Sequence, residues 1–305
     1  MLYSITLNPS IDYVIGLSKL KLGLVNRLAT DHKLPGGKGI NVSRILQQLG
    51  LPSVALGFAG GFTGKFLQAR LQTLGVATDF TKVADDTRIN VKLKADQETE
   101  LNAAGPTIRP DEAKAFASKL KHRLQKGDVV VMAGSLPAGL PETFYRDLIP
   151  DIQAAGADFV IDTTGQALRD TLADHPYVVK PNHHELADLF GDAEYQSLAE
   201  IAEAGRRLLD LGAQHVLVSM AGKGALMITK DAAYHGFCEP GVVKNSVGAG
   251  DSMLAGFTGT LAQSGSAIEA FKMALACGSA TAFSIDLADK AKIDAVYQTI
   301  TIEKL

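Results

Sequence analysis

The sequence predicts an α/β fold in which helices cover both faces of a mostly parallel sheet. Three observations carry this. Short apolar runs rich in β-branched residues recur along the chain, as in DVVVMAG at 128–134. Such continuous runs fit strands buried on both faces. Segments with apolar residues at helical spacing separate them. Two stretches, 12–33 and 79–103, are strand-like without intervening helices, and they predict a small β lid beside one main domain spanning 1–305.

Taken in order, LYSITL (2–7) reads as a short buried strand. In NVSRILQQLG, Val42, Ile45, Leu46 and Leu49 share a helical face that ends at Gly50. SVALGF (53–58) is a strand, followed by a helix with Leu67, Leu71 and Leu74 on one side and a stop at Gly75. RINVKLKA alternates, with Ile89, Val91 and Leu93 on one face and Asn90, Lys92 and Lys94 on the other, as in a half-exposed antiparallel sheet. Helical patterns over 111–125, 142–155, 183–190 and 197–211 alternate with strands at 128–134, 158–163, 177–180 and 215–220. From Asp251 onward the chain reads as mostly helical. A lone small sheet leaves an apolar face that the main domain or a second subunit must cover.

Composition narrows the function. The 305 residues carry 30 Lys+Arg against 33 Asp+Glu, a net charge of −3 that gives no sign of a nucleic-acid partner. The two cysteines, Cys238 and Cys277, exclude a disulfide framework and a four-cysteine zinc site. The opening MLYSITLNPSID has no basic leader, and no run reaches the ~18 apolar residues of a membrane span, so a cytoplasmic setting is expected. The 30 glycines amount to about 10%, above the ~7% norm, and they cluster at 36–39, 57–64, 222–224 and 248–250. Such clusters mark backbone that turns sharply or approaches a ligand.

The common nucleotide signatures fail. No G-x-x-x-x-G-K-[ST] exists around Lys38, Lys65 or Lys223, and both candidate G-x-G-x-x-G strings end in Met, at Met227 and Met253. H-E-x-x-H and G-x-S-x-G are absent. What remains is NSVGAGDSMLAGF, in which Gly248, Ala249 and Gly250 precede a helix starting near Asp251. Unpaired amides at a helix N-terminus form an anion site, and glycines let them curl around an oxygen anion. Asp251 is then either a simple helix cap or a base that accepts the proton of an attacking hydroxyl.

GAGDS, together with GGKGINVSR at 36–44 and TLNPSID at 6–12, resembles the ribokinase-like (PfkB) carbohydrate kinase family. VNR (25–27), TRINVKL (87–93), GSLP (134–137), KPNHHE (180–185) and SMAGKGA (219–225) extend the resemblance from end to end. It is strongest toward the 1-phosphofructokinase and tagatose-6-phosphate kinase branches. It implies a three-layer α/β/α sandwich with a small β-sheet lid, ATP and Mg²⁺ as cosubstrate and cofactor, and a homodimer formed through the lid. Asp251 becomes the general base and the amides of Gly248, Ala249 and Gly250 the anion hole. Asp12, Gly36, Gly37, Asn41, Asn90 and Ser135 become substrate ligands, with Lys38, Arg88 and Arg27 for a sugar phosphate, Arg27 reaching across the dimer. Lys92 is left as a solvated strand residue. Lys180, Asn182, Ser219, Gly222, Gly224 and Gly250 fall to ATP. Asn182 and Glu185 hold Mg²⁺ through water. His183 and His184 diverge on their helix and are read as surface residues.

The expected reaction is transfer of the ATP γ-phosphoryl group to the 6-hydroxyl of D-fructose 1-phosphate. Tagatose 6-phosphate is the rival substrate. A silent sugar-phosphate-binding protein is disfavoured by the intact Asp251 and G-A-G turn, and a nucleoside kinase by Lys38 and Arg88, which would face no charged group.

Overall fold

The computed structural model describes residues 1–305. In chain order, strands β1 (Leu2–Thr6), β2 (Ser10–Gly16) and β3 (Thr30–Gly36) lead into helix α1 (Lys38–Gln48). Strand β4 (Ser53–Gly60), helix α2 (Gly61–Thr73) and strands β5 (Ala77–Thr78), β6 (Thr81–Val83), β7 (Arg88–Lys94) and β8 (Thr99–Leu101) follow. Next come α3 (Pro110–Arg123), β9 (Val129–Ala133), α4 (Phe144–Ala154), β10 (Asp158–Asp162), α5 (Gly165–Leu172), α6 (His183–Phe190) and α7 (Leu198–Asp210). The rest comprises β11 (Val216–Ser219), β12 (Ala225–Ile228), β13 (Ala233–Phe237), α8 (Ala249–Ser264), α9 (Ala267–Ala282), α10 (Lys290–Tyr297) and β14 (Thr301–Lys304).

The main sheet runs β10-β9-β1-β4-β5, all parallel, with β6 also paired to β4. Alternate residues of β9 feed two cores. Val130 and Met132 pack with Phe116 of α3, Ile149 of α4 and Leu208 of α7. Val129 and Val131 pack with Ile45 of α1 and Phe257 and Phe271 of α8 and α9. The double-sided covering is therefore as the apolar runs foretell.

Residues 177–180, expected as a strand, form bridges only. Tyr177 N donates to Phe159 O of β10 (2.7 Å) and Leu217 N of β11 to Val179 O (2.9 Å). Pro176 and Pro181 bound this segment and remove the donors a regular ladder needs. The bridges join the parallel sheet to an antiparallel one, β11-β12-β13-β14, whose last strand the sequence reading did not anticipate.

A small separate sheet runs β3-β2-β7-β8. It differs from the expected lid in two respects. Its central pair, β2 and β7, is parallel rather than antiparallel. Both strands run on from segments leaving the same edge of the main sheet, β1 for one and β6 for the other, so they point the same way. Residues 81–83, inside the second expected excursion, belong to the main sheet. One face of the small sheet carries Asp12, Asn90 and Lys92. The other carries Ile11, Tyr13, Ile89, Val91 and Leu93. Ile11 and Leu93 are buried, whereas Ile89, Leu101 and, on the β2–β3 loop, Leu22, Leu24 and Val25 are exposed. No helix is long and apolar enough to cross a membrane.

Helix α1 lies unusually close to β1. A Cβ on Gly39 would sit 2.6 Å from Ile5 O and from Thr6 Oγ1. Gly39→Ala should push α1 off the sheet and lower stability by about 1–3 kcal/mol, the cost typical of overpacking, as read from the denaturant midpoint.

Candidate active site

The carboxyl ends of the parallel strands deliver most of the expected residues, as open α/β sheets do. Asp162 ends β10, Gly134 and Ser135 follow β9, and Ser219 ends β11. Lys180 and Asn182 follow the bridging segment, and Asn182 is registered beside Ser219.

Helix α8 meets this edge with its N-terminus. Gly248 is left-handed, at φ 79°, and no side chain caps the helix. The amides of Gly248, Gly250 and Asp251 donate to no acceptor, while that of Ala249 turns back to Ser246 O at 3.3 Å. The free amides are thus those of 248, 250 and 251 rather than the expected 248–250, because the turn at 246–249 consumes one of them.

Asp251 does not cap its own helix. Its Oδ2 accepts from Asn41 Nδ2 at 2.8 Å, and the residue is 8% exposed. Burial, reinforced by the charge of Asp162, pushes its carboxyl up to about 6, against the pull of Asn41, Lys38 and Lys180. Asn41, expected as a substrate ligand, holds this carboxylate. Lys180 hangs over the helix start, its Nζ 3.1 Å from where a Cβ on Gly250 would lie. Lys38 Nζ pairs with Asp162 Oδ2 at 2.7 Å.

The small sheet contributes a second cluster. Asp12 Oδ1 accepts from Ser10 Oγ (2.6 Å) and Asn90 Nδ2 (3.1 Å), and Lys92 Nζ stands 3.4 Å from Oδ2. Lys92 is mostly buried between Asp12 and Glu100, so it is not the solvated strand residue that the sequence suggested. The signal was available: its alternation places it on the face of Asn90. Arg88 is anchored to Asn8 O (2.9 Å) and Ala103 O (3.0 Å), and its Nε and the neighbouring Asn8 Oδ1 are buried without partners. The Gly36–Gly39 segment spans the two clusters. A Cβ on Gly36 would strike the Asp12 carboxylate at 2.5 Å, and Asn41 reaches Asp251.

Other expected residues sit differently. The N-x-x-E motif forms a capping box: Asn182 Oδ1 accepts from the amides of His184 and Glu185, and Glu185 Oε2 accepts from Asn182 N. Asn182 Oδ1 is thereby engaged, whereas Glu185 Oε1 accepts nothing. His183 and His184 do not diverge. Their rings stack at 3.9 Å where α6 begins, and no group of three acidic, His or Cys side chains forms a metal cage. Ser219, Gly222 and Gly224 belong to the β11–β12 hairpin, and Gly224 at φ 82° lies where a Cβ would meet Gly236 O at 2.1 Å. Arg27 is exposed on the β2–β3 loop without an ion-pair partner.

The chain is 43% identical, over 100% of both chains, to a 1-phosphofructokinase of Bacillus subtilis. It is 36% identical, over 100% of both, to a D-tagatose-1-phosphate kinase of Bacillus licheniformis. Its structure superposes on phosphofructokinase-2 of Escherichia coli in complex with substrates and products with a TM-score of 0.91, at 28% identity over 97% of this chain and 98% of the other. Arabidopsis thaliana ribokinase complexed with ribose and ATP matches with a TM-score of 0.77 and 20% identity over 97% and 98% of the two chains, which shows the shared ribokinase-like fold. The model of the pfkB family carbohydrate kinases matches residues 5–292, and the chain belongs to that family of sugar kinases, which transfer phosphoryl groups to an alcohol.

Proposed function

We propose that this kinase transfers the γ-phosphoryl group of ATP to the 6-hydroxyl of D-fructose 1-phosphate, giving fructose 1,6-bisphosphate and ADP. The observation that carries the reading is a buried carboxylate, Asp251, fixed by Asn41 beside three unpaired amides. The 1-phosphofructokinase relative supports the choice of sugar.

Asp251 takes the proton from the 6-hydroxyl as O6 attacks the γ-phosphorus. The bond to the β,γ-bridging oxygen breaks and ADP leaves with its electron pair. The amides of Gly248, Gly250 and Asp251, with Lys180 above them, stabilise the charge on the phosphoryl oxygens. At the other end, Asp12 accepts from sugar hydroxyls. Arg88 Nε and Asn8 Oδ1, buried and unpartnered, suit a phosphate oxygen and a hydroxyl respectively. The hairpin at Ser219–Gly224 flanks the nucleotide, and a cavity lined by Gly222, Lys223, Phe237 and Pro240 borders it.

The donor set fits Mg²⁺ held mainly by water and phosphate oxygens rather than caged by protein. Glu185, with one oxygen free, is the residue left to hold it, since Asn182 serves as a cap. Bound there, the ion neutralises charge on the ATP phosphates. Both cysteines are free thiols, which suits a cytoplasmic enzyme.

A second reading follows from the Bacillus licheniformis relative. D-tagatose 1-phosphate differs from fructose 1-phosphate at C4 alone and offers the same 6-hydroxyl. It is a nearer rival than tagatose 6-phosphate, whose phosphate lies at the opposite end. The exposed Leu22, Leu24, Val25, Ile89 and Leu101 support a dimer formed through the small sheet, with Arg27 crossing to the partner's site.

In parallel ADP-release assays, fructose 1-phosphate should give the highest kcat/KM. A higher value for either tagatose phosphate would reassign the substrate, and ADP release with none of them would leave a silent binding protein. Light scattering should show twice the 32.2 kDa chain mass, and Leu22→Asp with Val25→Asp should halve it. The wild-type kcat/KM should fall about tenfold per pH unit below Asp251's pKa of about 6. Asp251→Asn should lower kcat by about 10²–10⁴. The carboxyl's folded pKa lies above its unfolded value of 3.8, so its ionisation destabilises the fold. That penalty is absent below pH ~4, grows through the interval and is complete above pH ~6. Asp251→Asn should therefore gain up to about 3 kcal/mol of stability at pH 8 and almost nothing at pH 3.5.

A further inference from the structure

We propose that Lys38 serves the migrating phosphoryl group rather than the resting phosphate of the sugar, and that Asp162 stations it there between turnovers. This rests on the kinase reading above.

Lys38 occupies the first position of α1, behind Gly37 at φ 123°. A cation there faces the positive end of the helix, and no acidic residue in the first turn relieves it. Local structure gives no reason for the residue. Its partner comes from 124 positions away: Asp162, at the end of β10, is largely buried and holds Nζ at 2.7 Å. Half-exposed, Lys38 loses some hydration, but Asp162 foremost, with Asp251 and Glu185, the base and the residue assigned to Mg²⁺, raises its pKa. It therefore belongs to the catalytic end of the site.

Arg88 belongs to the other end. Its guanidinium is tied to Asn8 O and Ala103 O, on the small sheet with Asp12. The two cations that sequence reasoning grouped together are thus held by different elements, and only Arg88 stands with the sugar ligands. Asp251, Asp162 and Glu185 put three carboxylates around the path of an anionic group. Lys180 over Gly250 and Lys38 against Asp162 are the cations that offset them. The approaching γ-phosphoryl group competes with Asp162 for the ammonium, which swings to its oxygens during transfer and back to Asp162 when product leaves. A point charge on a flexible stem suits that movement.

The test compares Lys38→Met and Lys38→Arg with wild type. For Lys38→Met, kcat should fall about 10²–10³-fold, as when one donor to a transition-state oxygen is removed. KM for fructose 1-phosphate, and its Kd by calorimetry, should change less than about threefold, since no ground-state contact is lost. Affinity for ADP with aluminium fluoride and fructose 1-phosphate, a mimic of the phosphoryl group in flight, should fall about 100-fold, and Lys38→Arg should restore most of it. A Kd for fructose 1-phosphate raised tenfold or more with kcat nearly intact would return Lys38 to the resting phosphate and overturn the proposal, as would no change in any of these quantities.

Asp162→Asn tests the positioning role. Asp251 is faced by Asp162, Asn41, Lys38 and Lys180. Removing the Asp162 charge should move the acid limb of kcat/KM to lower pH, and Lys38→Met should move it to higher pH. Two shifts in the same direction, or none, would refute the pairing. Should wild type prefer another sugar phosphate, the substrate assignment fails, and the same comparison run with that sugar still decides the role of Lys38.

Discussion

The hydrogen bond from Asn41 to Asp251 ties together residues 210 positions apart and fixes the proposed base in place. It joins the first turns of α1 and α8, whose N-termini both open on the carboxyl edge of the sheet. Without it, the buried carboxylate, three residues past Gly248 at the helix start, would be free to turn back to the unpaired amide of Gly248, as acidic residues at that position do in a capping box. That would occupy one of the unpaired amides at the start of α8 with the protein's own charge. The bond keeps the carboxylate apart from the amides, as the proposed division of roles between them requires. Close contact between α1 and β1 supports it, since Gly39 lets the helix approach near enough for Asn41 to reach.

Much of this arrangement was legible in the sequence. Apolar β-branched runs gave the parallel strands because burial on both faces demands them. G-G-K-G and G-A-G marked places where backbone must approach something closely. Other features were hidden because they depend on partners distant in sequence. The parallel pairing of β2 with β7 follows from how both strands leave the main sheet, which alternation within one strand cannot reveal. Helix α5 and strand β14 are short, and each is held by a few of its own apolar residues packing on distant ones, Leu168 and Leu172 in the core shared with α4 and Ile302 against the opposite core. Asp162 carried no motif of its own, and its meaning appears only once Lys38 and Asp251 are beside it.

The capping box at Asn182 and Glu185 shows how one short motif can serve two ends. Its internal hydrogen bonds terminate a helix in the ordinary way, yet they orient the remaining oxygen of Glu185 by the same geometry. A side chain already fixed in this manner has little entropy left to lose on binding, which suits the proposed role of Glu185. The rings of His183 and His184 lie side by side at the same turn, tilted by 37°.

The register of the small sheet has a mechanical corollary. Asp12 and Asn90 sit opposite one another on adjoining strands, with Lys92 two positions along, so their mutual spacing is set by the ladder itself. Any rotation of that sheet would carry the trio as a single plate. The sugar-binding role proposed for this face would then arrive assembled, and the distance left to vary would be the one separating the plate from the helix that bears Asp251.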